Sequence, residues 1–392
     1  MNSPLQQAPA FFSEHAPIHR AWRHHLHQNP EVAFEERDTA GFLAARLGEM
    51  GLPVKQGFAG TGLVASLRGK RSGPTVGFRA DMDALPLNEQ SCLPYRSARP
   101  GVTHACGHDG HMTMLLAAAD YLSRQDDFAG TLHFIFQPAE EAAGGGRVMV
   151  EDGLFDHAPC DLVFGLHNWP SLETGRIAVQ PGPMMAAMDL FTITISGSGV
   201  HAALPHLGTD TIVAAGALTQ ALQTIVSRAI DPHQQLVLSI TQIHGGQSLN
   251  ALPDSVELRG TLRYFDDGTA RTAHRRMHEI VEGTARTHAV EIALDLKSQY
   301  PVTTNDPDAA GIMLRAATLS PAGGTAITQF PPSMASEDFA FMLAARKGAY
   351  AWIGNGRSTA LHSPEFDFND DVLPLGAQYW VALAQACQSP IL

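Results

Sequence analysis

The sequence has 392 residues, of which 44% are hydrophobic and 17% are charged, and it carries a formal net charge of −13. A single hydrophobic core stops growing at roughly 250–300 residues, so the length predicts two domains, and the composition excludes an intrinsically disordered chain. The acidic balance, without a basic stripe, argues against nucleic acid as a partner.

Cysteine use and hydropathy indicate a cytoplasmic location. The cysteines are sparse and irregularly spaced, unlike those of a short secreted disulfide scaffold, and we expect reduced thiols at Cys92, Cys106, Cys160 and Cys387. The segment Met1–Pro17 lacks a basic start followed by an apolar run, so no signal peptide is predicted. No stretch approaches the roughly 20 apolar residues of a membrane span, so no membrane partner is expected.

The first half of the chain alternates predicted helices and strands. Thr39–Met50 is predicted to be a helix that ends at Gly51, which is well placed as a C-terminal cap. The other predicted helices are Gly110–Ser123 and Val148–Glu151, and the predicted strands are Leu63–Leu67, Thr75–Phe78, Thr131–Phe136 and Leu162–Leu166. This alternation predicts an α/β domain with a central mixed sheet.

The middle of the chain follows a different pattern. Its predicted elements are, in order, Leu190–Ile195, a helix Thr211–Arg228, Leu236–Ile243, Val256–Phe265, a helix Thr272–Thr287 and Val290–Leu296. This β-α-β-β-α-β order is that of a ferredoxin-like domain. We therefore expect a discontinuous α/β domain, residues 1–185 and 300–392, with an inserted domain at 186–299.

One short segment is dense in groups that bind metals. His104–His111 contains three histidines, a cysteine and an aspartate within eight residues. Cys106 and His108 are two apart in a glycine-containing segment, so both can turn toward one cation, and thiolate with imidazole suits Zn, Co or Ni. The alternative, an exposed polar loop with one buried thiol, fits a lone cysteine better than it fits this density.

Three more segments place candidate ligands after predicted strands or near acidic residues. Glu140 and Glu141 directly follow a predicted strand, where α/β proteins line the active cleft, and one could bind metal while the other takes a proton from water. Their alternative role is a solvated helix N-terminus. His167 follows another apolar strand, and His362 precedes a run of acids. Together with Cys106 and His108, one of the two glutamates and these two histidines supply about as many ligands as a two-metal site needs.

At this point the sequence resembles the M20 metallopeptidase family, and most closely its amidohydrolase branch, which hydrolyses N-acyl amino acids. The matching segments cover nearly the whole chain in the order of the family. They are His27–Glu31, Ala80–Pro86, His104–His111, Gln137–Glu141, Gly165–Pro170, Gly197–His206, Asn250–Asp254, Ser336–Phe339 and Leu361–Pro364.

The resemblance implies a role for each candidate residue. Cys106 would bridge two divalent ions (Zn, Mn, Co or Ni), and the remaining ligands would be His108, Glu141, His167 and His362. Glu140 would be the general base that later protonates the leaving amine. His201 would reach the tetrahedral intermediate across a homodimer formed by the middle domain, which also acts as a lid. Asn250 would bind substrate, and Asp83 would support the ligands.

Other classes of protein fit the sequence less well. Two G-x-G-x-x-A segments, at Gly60 and Gly197, lack the strand-turn-helix context of a dinucleotide site. Neither G-x-S-x-G nor H-E-x-x-H occurs in the sequence, which argues against a serine hydrolase and a zincin. A non-catalytic metal-binding protein would be expected to lose Glu140. An aminopeptidase or dipeptidase of the same fold is the nearer alternative to an N-acyl amino acid hydrolase.

Overall fold

A computed structural model describes residues 4–125, 128–141, 144–320 and 326–388 of the chain. The chain divides into two compact units. The first consists of Met1–Met184, Thr303–Pro331 and Asp338–Leu392, and the second of Met185–Val302 with Pro332–Glu337. The short segment 332–337 thus lies with the second unit, although the sequence pattern predicts it to be part of the discontinuous domain.

The first unit contains both helices and strands. Its helices are α1 (Pro4–Gln28), α2 (Arg37–Glu49), α3 (His108–Ser123), α4 (Gly145–Glu151), α5 (Leu154–His157), α8 (Pro307–Leu319), α9 (Ala340–Ala345) and α10 (Val372–Ala386). Its strands are β1 (Val54–Phe58), β2 (Gly62–Arg68), β3 (Arg71–Asp81), β4 (Ala129–Gln137), β5 (Leu162–Pro170), β6 (Ile177–Ala178), β12 (Thr303–Asn305) and β13 (Gly348–Gly356), and β7 (Gly182–Met185) begins here.

The large sheet of the first unit is mixed. Within the described residues its order is β1-β2-β4-β3-β5-β13-β6. The central strands β4, β3, β5 and β13 run parallel, and β1, β2 and β6 are antiparallel to their neighbours. Because parallel strands end at one edge of a sheet, the carboxyl ends of β3, β4 and β5 lie side by side.

Aromatic side chains form the core between this sheet and its helices. Phe78, Phe134 and Phe164 are fully buried on neighbouring strands, and the ring of Phe78 lies 5.0 Å from that of Trp380 on α10. Helix α3 is buried along almost its whole length. Burial of such side chains supplies roughly 1.5–3 kcal/mol each, so this core fixes the sheet edge on which the candidate site lies.

The second unit is a four-stranded antiparallel sheet with helices. Its elements are β8 (Ala187–Ser196), α6 (Thr211–Thr224), a π-helical turn (Ile225–Ala229), β9 (Leu236–Gly245), β10 (Ser255–Tyr264), α7 (Asp267–His288) and β11 (Glu291–Tyr300), with a short 3₁₀ turn at Pro205–Leu207. The strand order is β11-β8-β10-β9. Alternate residues of β8 are buried, as expected of a strand with one face in a core. The α/β fold class and the β-α-β-β-α-β order are confirmed.

Three local expectations differ from the structure. Helix α1 lies where no element is predicted, because Pro9 and Pro17 within it interrupt the helical sequence pattern. Helix α3 begins at His108, so the second half of the His104–His111 segment is helical. Strand β5 continues past the predicted end, so His167 lies within the strand. Among the helices of the described residues, none is both long and apolar enough to span a membrane.

Candidate metal centre

The candidate site forms where the central strands of the first unit end. Cys106 lies just before α3, His108 is the first residue of α3, and His167 lies near the end of β5. Glu141 follows the end of β4 by four residues. The Cys106 Sγ lies 3.4 Å from the Nε2 of His167, and one ligand atom each of Cys106, His108 and Glu141 lies within 4.8 Å of the others.

A glycine shapes the chain between the thiol and the first helical histidine. Gly107 has a φ of +89°, a left-handed conformation, and a Cβ at this position would lie 2.5 Å from the side-chain nitrogen of Asn168. That nitrogen donates to the carbonyl oxygen of Cys106 at 2.6 Å. Any larger residue at position 107 would displace Asn168, so glycine allows the thiol and His108 to face the same space.

The hydrogen bonds of two histidines leave one ring nitrogen of each for another partner. The Nδ1 of His108 donates to the Asp83 carbonyl oxygen at 2.8 Å, and its buried Nε2 has no hydrogen-bond partner in the described part of the chain. The Nδ1 of His167 donates to the Asn168 carbonyl oxygen at 2.7 Å, which leaves the Nε2 lone pair pointing toward Cys106. Metal-binding histidines are held in this way, with the second ring nitrogen donating to a carbonyl or carboxylate.

Glu141 and His362 form the more exposed side of the cluster. The Oε1 of Glu141 lies 3.1 Å from the Nε2 of His362 and 3.9 Å from the Nε2 of His108. The His362 side chain is 53% exposed, whereas that of Glu141 is 9% exposed. His362 has a left-handed φ of +63°, and its backbone N–H donates to the Ala105 carbonyl at 2.8 Å. Such a conformation is strained for a residue other than glycine, and strain of this kind concentrates at functional sites.

The charges of the cluster fit a bound cation. Burial, together with the charges of Glu141 and Glu140, raises the pKa of the Cys106 thiol well above its ordinary value. Burial, together with the neighbouring ring of His111, holds the pKa of His167 well below its ordinary value, so the imidazole of His167 is neutral. Burial opposes ionisation of His108, but the carboxylates of Asp81 and Asp83 outweigh it and raise its pKa to about 10. A divalent cation would compensate the carboxylates and favour the thiolate.

The chain segment that carries the paired acids is held by two other carboxylates. Ala139, with a left-handed φ of +56°, donates its backbone N–H to Glu36 Oε1 at 2.9 Å. The backbone N–H of Glu141 donates to Asp83 Oδ2 at 3.0 Å. Glu140, between them, is buried. The two acids therefore have different surroundings. Glu141 turns toward the histidines, whereas one carboxylate oxygen of Glu140 lies within 4.8 Å of the Asp338 carboxylate.

A buried polar chain behind the cluster involves residues for which the sequence patterns predict no role. The Asp81 carboxylate accepts from Arg79 at 2.8 Å and from the Nδ1 of His111 at 2.6 Å. The Nε2 of His111 accepts from the backbone N–H of Asn168 at 2.9 Å. Arg79 also donates to Asp338 at 2.9 Å. Both ring nitrogens of His111 are therefore engaged, although Asp81, His108, His111 and His167 together have a metal-like arrangement.

The sequence does contain a signal for this polar chain. Asp81 and His111 both lie in segments quoted for the family resemblance, at the end of a strand and in the dense histidine segment. The two residues are 30 positions apart in the sequence, so their pairing is not evident until the end of β3 and the start of α3 are known. Asp83, expected to support the ligands, contacts both His108 and Glu141.

The two remaining candidate residues lie together in the second unit. His201 pairs with Ala251 in an isolated β-bridge, and the backbone N–H of Ala202 donates to the Asn250 carbonyl oxygen at 2.9 Å. The Nδ1 of His201 accepts from the backbone N–H of Ala203 at 3.1 Å, and the side chain is exposed. The Oδ1 of Asn250 accepts from the Ser248 hydroxyl at 2.8 Å.

Comparisons with known proteins agree with this chemistry. Residues 77–386 match the sequence profile of peptidase family M20/M25/M40. The chain is 40% identical to a hippurate hydrolase of Campylobacter jejuni, over 92% of this chain and 94% of that protein. It is 42% identical to an N-acyl-L-amino acid amidohydrolase of Geobacillus stearothermophilus, over 76% and 81%. The crystal structure of the Bacillus subtilis YXEP protein, described as a dinuclear metal-binding peptidase from family M20, matches with a TM-score of 0.83 at 32% identity, over 95% and 98%.

Proposed function

This chain belongs to peptidase family M20/M25/M40, and we propose that it hydrolyses the amide bond of N-acyl amino acids with two bound metal ions. The products are a carboxylic acid and a free amino acid. The observation that carries the proposal is the convergence of Cys106, His108 and Glu141 at the end of the sheet, where one ligand atom of each lies within 4.8 Å of the others. The names of the hippurate hydrolase and the N-acyl-L-amino acid amidohydrolase support the substrate class.

The proposed ligands are five side chains of the first unit. The residues that would hold the two ions are Cys106, placed between them, with His108, Glu141, His167 and His362. Support comes from their short mutual distances and from the hydrogen bonds of the Nδ1 atoms of His108 and His167 to the carbonyl oxygens of Asp83 and Asn168, which hold the two rings in place. Thiolate, imidazole and carboxylate accept Zn, Mn, Co or Ni. When bound, the ions lower the pKa of a coordinated water and polarise the substrate carbonyl.

Glu140 is the proposed general base and then the general acid. Its carboxylate accepts a proton from the attacking water as the water oxygen bonds to the carbonyl carbon, and it returns the proton to the amide nitrogen as the C–N bond breaks. Two features support this separation of roles. Glu141 is oriented toward His108 and His362, whereas the backbone contacts of Glu36 and Asp83 fix the segment on either side of Glu140.

The second unit supplies the proposed substrate contacts. His201 is the donor to the oxyanion of the tetrahedral intermediate, acting from a second copy of the chain in a homodimer, and Asn250 binds the substrate. Their proximity in one exposed part of this unit supports a shared task. In this proposal residues 186–299 serve as the dimerisation and lid domain, and the enzyme acts on small molecules in the cytoplasm.

A substrate panel with a matched pair of variants tests the proposal. Metal-stripped protein is given Zn, Mn, Co or Ni and offered N-acyl amino acids and dipeptides, and the released amine is measured. We expect Glu140→Gln to lose about 10²- to 10⁴-fold in kcat while keeping its metal. The control Glu151→Gln changes an exposed glutamate on α4 and should keep the parent rate. A Glu140→Gln enzyme at the parent rate, or hydrolysis confined to dipeptides, would refute the proposal.

A further inference from the structure

Glu140, the proposed general base, follows a residue whose backbone is held by a carboxylate from a distant part of the chain. That carboxylate belongs to Glu36, which is fully buried. Its Oε1 accepts from the backbone N–H of Ala139 at 2.9 Å, and its Oε2 accepts from the hydroxyl of Thr61 at 2.7 Å. Glu36 and Ala139 are 103 positions apart in the sequence, so the fold alone brings the anchor to the paired acids.

Neither helix capping nor packing explains a glutamate at position 36. Glu36 is the N-cap residue of α2, a position where Ser, Thr, Asp and Asn are preferred. Within the residues that the structure describes, its side chain does not accept a capping bond from that helix. A fully buried carboxylate is also unfavourable compared with an apolar side chain of similar volume. What this carboxylate supplies is an acceptor for Thr61 and Ala139.

The backbone conformation of Ala139 gives the contact its importance. Ala139 has a φ of +56°, in the left-handed region that residues with a side chain rarely adopt. Its carbonyl oxygen accepts from the N–H of Gly145 at 3.0 Å, so both of its backbone polar groups are bonded. Without the bond from its N–H to Glu36, Ala139 would relax toward an ordinary φ. The side chain of the next residue, Glu140, would then turn away from its present direction.

The anchor itself is fixed in place. The carbonyl oxygen of Glu36 accepts from the N–H of Ala40 at 2.9 Å, in the first turn of α2. Leu43 and Leu47, further along this helix, are fully buried in the core of the first unit. A supporting group on a packed helix can hold a neighbouring site to the precision that catalysis needs.

The two acids are held by different carboxylates. The N–H of Glu141 donates to Asp83 Oδ2 at 3.0 Å, and Asp83 also contacts His108. The contact of Glu36 lies on the other side of Glu140, at Ala139. Loss of the Glu36 carboxylate should therefore disturb Glu140 more than Glu141, because the N–H of Glu141 stays bonded to Asp83.

We propose that Glu36 is a positioning residue for Glu140, and that it holds the general base in its reactive orientation through the backbone of Ala139. This inference rests on the proposed function, in which Glu140 moves the proton between water and the amide nitrogen. Misplacement of a reacting group by about 1 Å costs on the order of 100-fold in rate. Loss of the anchor should accordingly lower kcat by about 10- to 100-fold.

Variants at position 36 test this role in the metal-loaded, full-length enzyme, with the N-acyl amino acid that the parent hydrolyses fastest. Glu36→Met keeps the volume but removes both acceptors, so kcat should fall by about 10- to 100-fold while KM stays within about twofold. Glu36→Gln should recover most of kcat, because its amide oxygen still accepts from Ala139. If Glu36→Met does not fold, Glu36→Asp replaces it, because a carboxylate one methylene shorter cannot reach both partners.

A control variant and a metal measurement separate positioning from a purely structural role. Glu31 is a buried glutamate near the same helix, and its carboxylate accepts from the N–H of Thr39 at 2.9 Å. Glu31→Met should lower the free energy of unfolding and leave kcat per folded molecule within about twofold of the parent value. Bound metal per chain, measured by elemental analysis, should be the same in Glu36→Met as in the parent.

The outcomes distinguish this inference from the proposed function. A parent kcat in Glu36→Met, or in Glu36→Asp if that variant replaces it, would overturn the inference and leave the proposed function standing. A loss that Glu36→Gln does not recover, an equal loss in Glu31→Met, or a matching loss of bound metal would do the same. Failure of the loaded parent enzyme to hydrolyse any N-acyl amino acid would overturn both.

Discussion

Asp81→Asn tests the buried polar chain behind the candidate metal centre. The Asp81 carboxylate is fully buried and accepts from Arg79 at 2.8 Å and from His111 at 2.6 Å. Burial raises the pKa of Asp81, but neighbouring His108, the hydrogen bond from His111 and the charge of Arg79 outweigh burial. They hold this pKa well below its ordinary value, so the group is ionised. The substitution removes this charge and turns an amide N–H₂ toward one of two donors.

The expected loss can be worked from these contacts. Removing one partner of a buried ion pair costs roughly 3–5 kcal/mol, and Arg79 keeps only part of its compensation through Asp338. The free energy of unfolding of the metal-free protein should fall by about that amount. Because Asp81 also lies 3.7 Å from the Nε2 of His108, metal affinity should fall by about 10- to 100-fold.

The assay can report on the first unit alone. All four tryptophans of the chain lie in that unit, so urea unfolding followed by tryptophan fluorescence does not register the second unit. The control is Asp295→Asn, an exposed aspartate 3.2 Å from Lys297, which should change stability by less than about 0.5 kcal/mol. An Asp81→Asn protein as stable as the parent in metal-free buffer would refute the reasoning about this chain of contacts.

Two further predictions concern neighbouring groups. Burial raises the pKa of Glu36 to about 7, against an ordinary value of 4.5. The Glu36 carboxyl group therefore holds its proton more tightly in the folded state than in the unfolded state. This difference stabilises the folded state fully below pH 4.5, and the stabilisation is lost as the pH rises to 7. Over this pH range the free energy of unfolding of the metal-free parent should fall by up to about 3 kcal/mol relative to that of Glu36→Gln. Parallel pH profiles of the two proteins in urea unfolding would contradict this expectation. Cys106→Ser should lower the amount of metal bound per chain, measured by elemental analysis. The control Cys92→Ser changes an exposed thiol and should bind as much metal as the parent. Equal metal contents in the two variants would show that Cys106 is not a ligand.

The sequence predicts the fold well where its patterns are local. The β-α-β-β-α-β order follows from strands and helices with clear periodicity, such as β8 and the amphipathic α7, which buries Ala270, Ala273 and Met277 at helical spacing. Helix α1 is not predicted, because its two internal prolines interrupt the helical pattern in the sequence. Its stability depends instead on the burial of Phe12 and other side chains against the rest of the unit.

The candidate site is predicted in its residues and only partly in its geometry. Density of histidine and cysteine identifies Cys106 and His108, and a strand end identifies His167. The pairing of Asp81 with His111 and the support of Ala139 by Glu36 depend on contacts between residues 30 and 103 positions apart. No periodicity in the sequence carries such long-range information, so these contacts become visible only in the folded chain.

A metal titration tests the central claim most directly. Chelator-stripped enzyme is titrated with one divalent ion while bound metal and the release of amine from an N-acyl amino acid are measured on the same samples. The proposed centre predicts no turnover without metal and activity that rises until two ions are bound per chain. Full turnover by the stripped enzyme in the presence of chelator, or saturation of activity at one bound ion, would contradict a two-metal amidohydrolase.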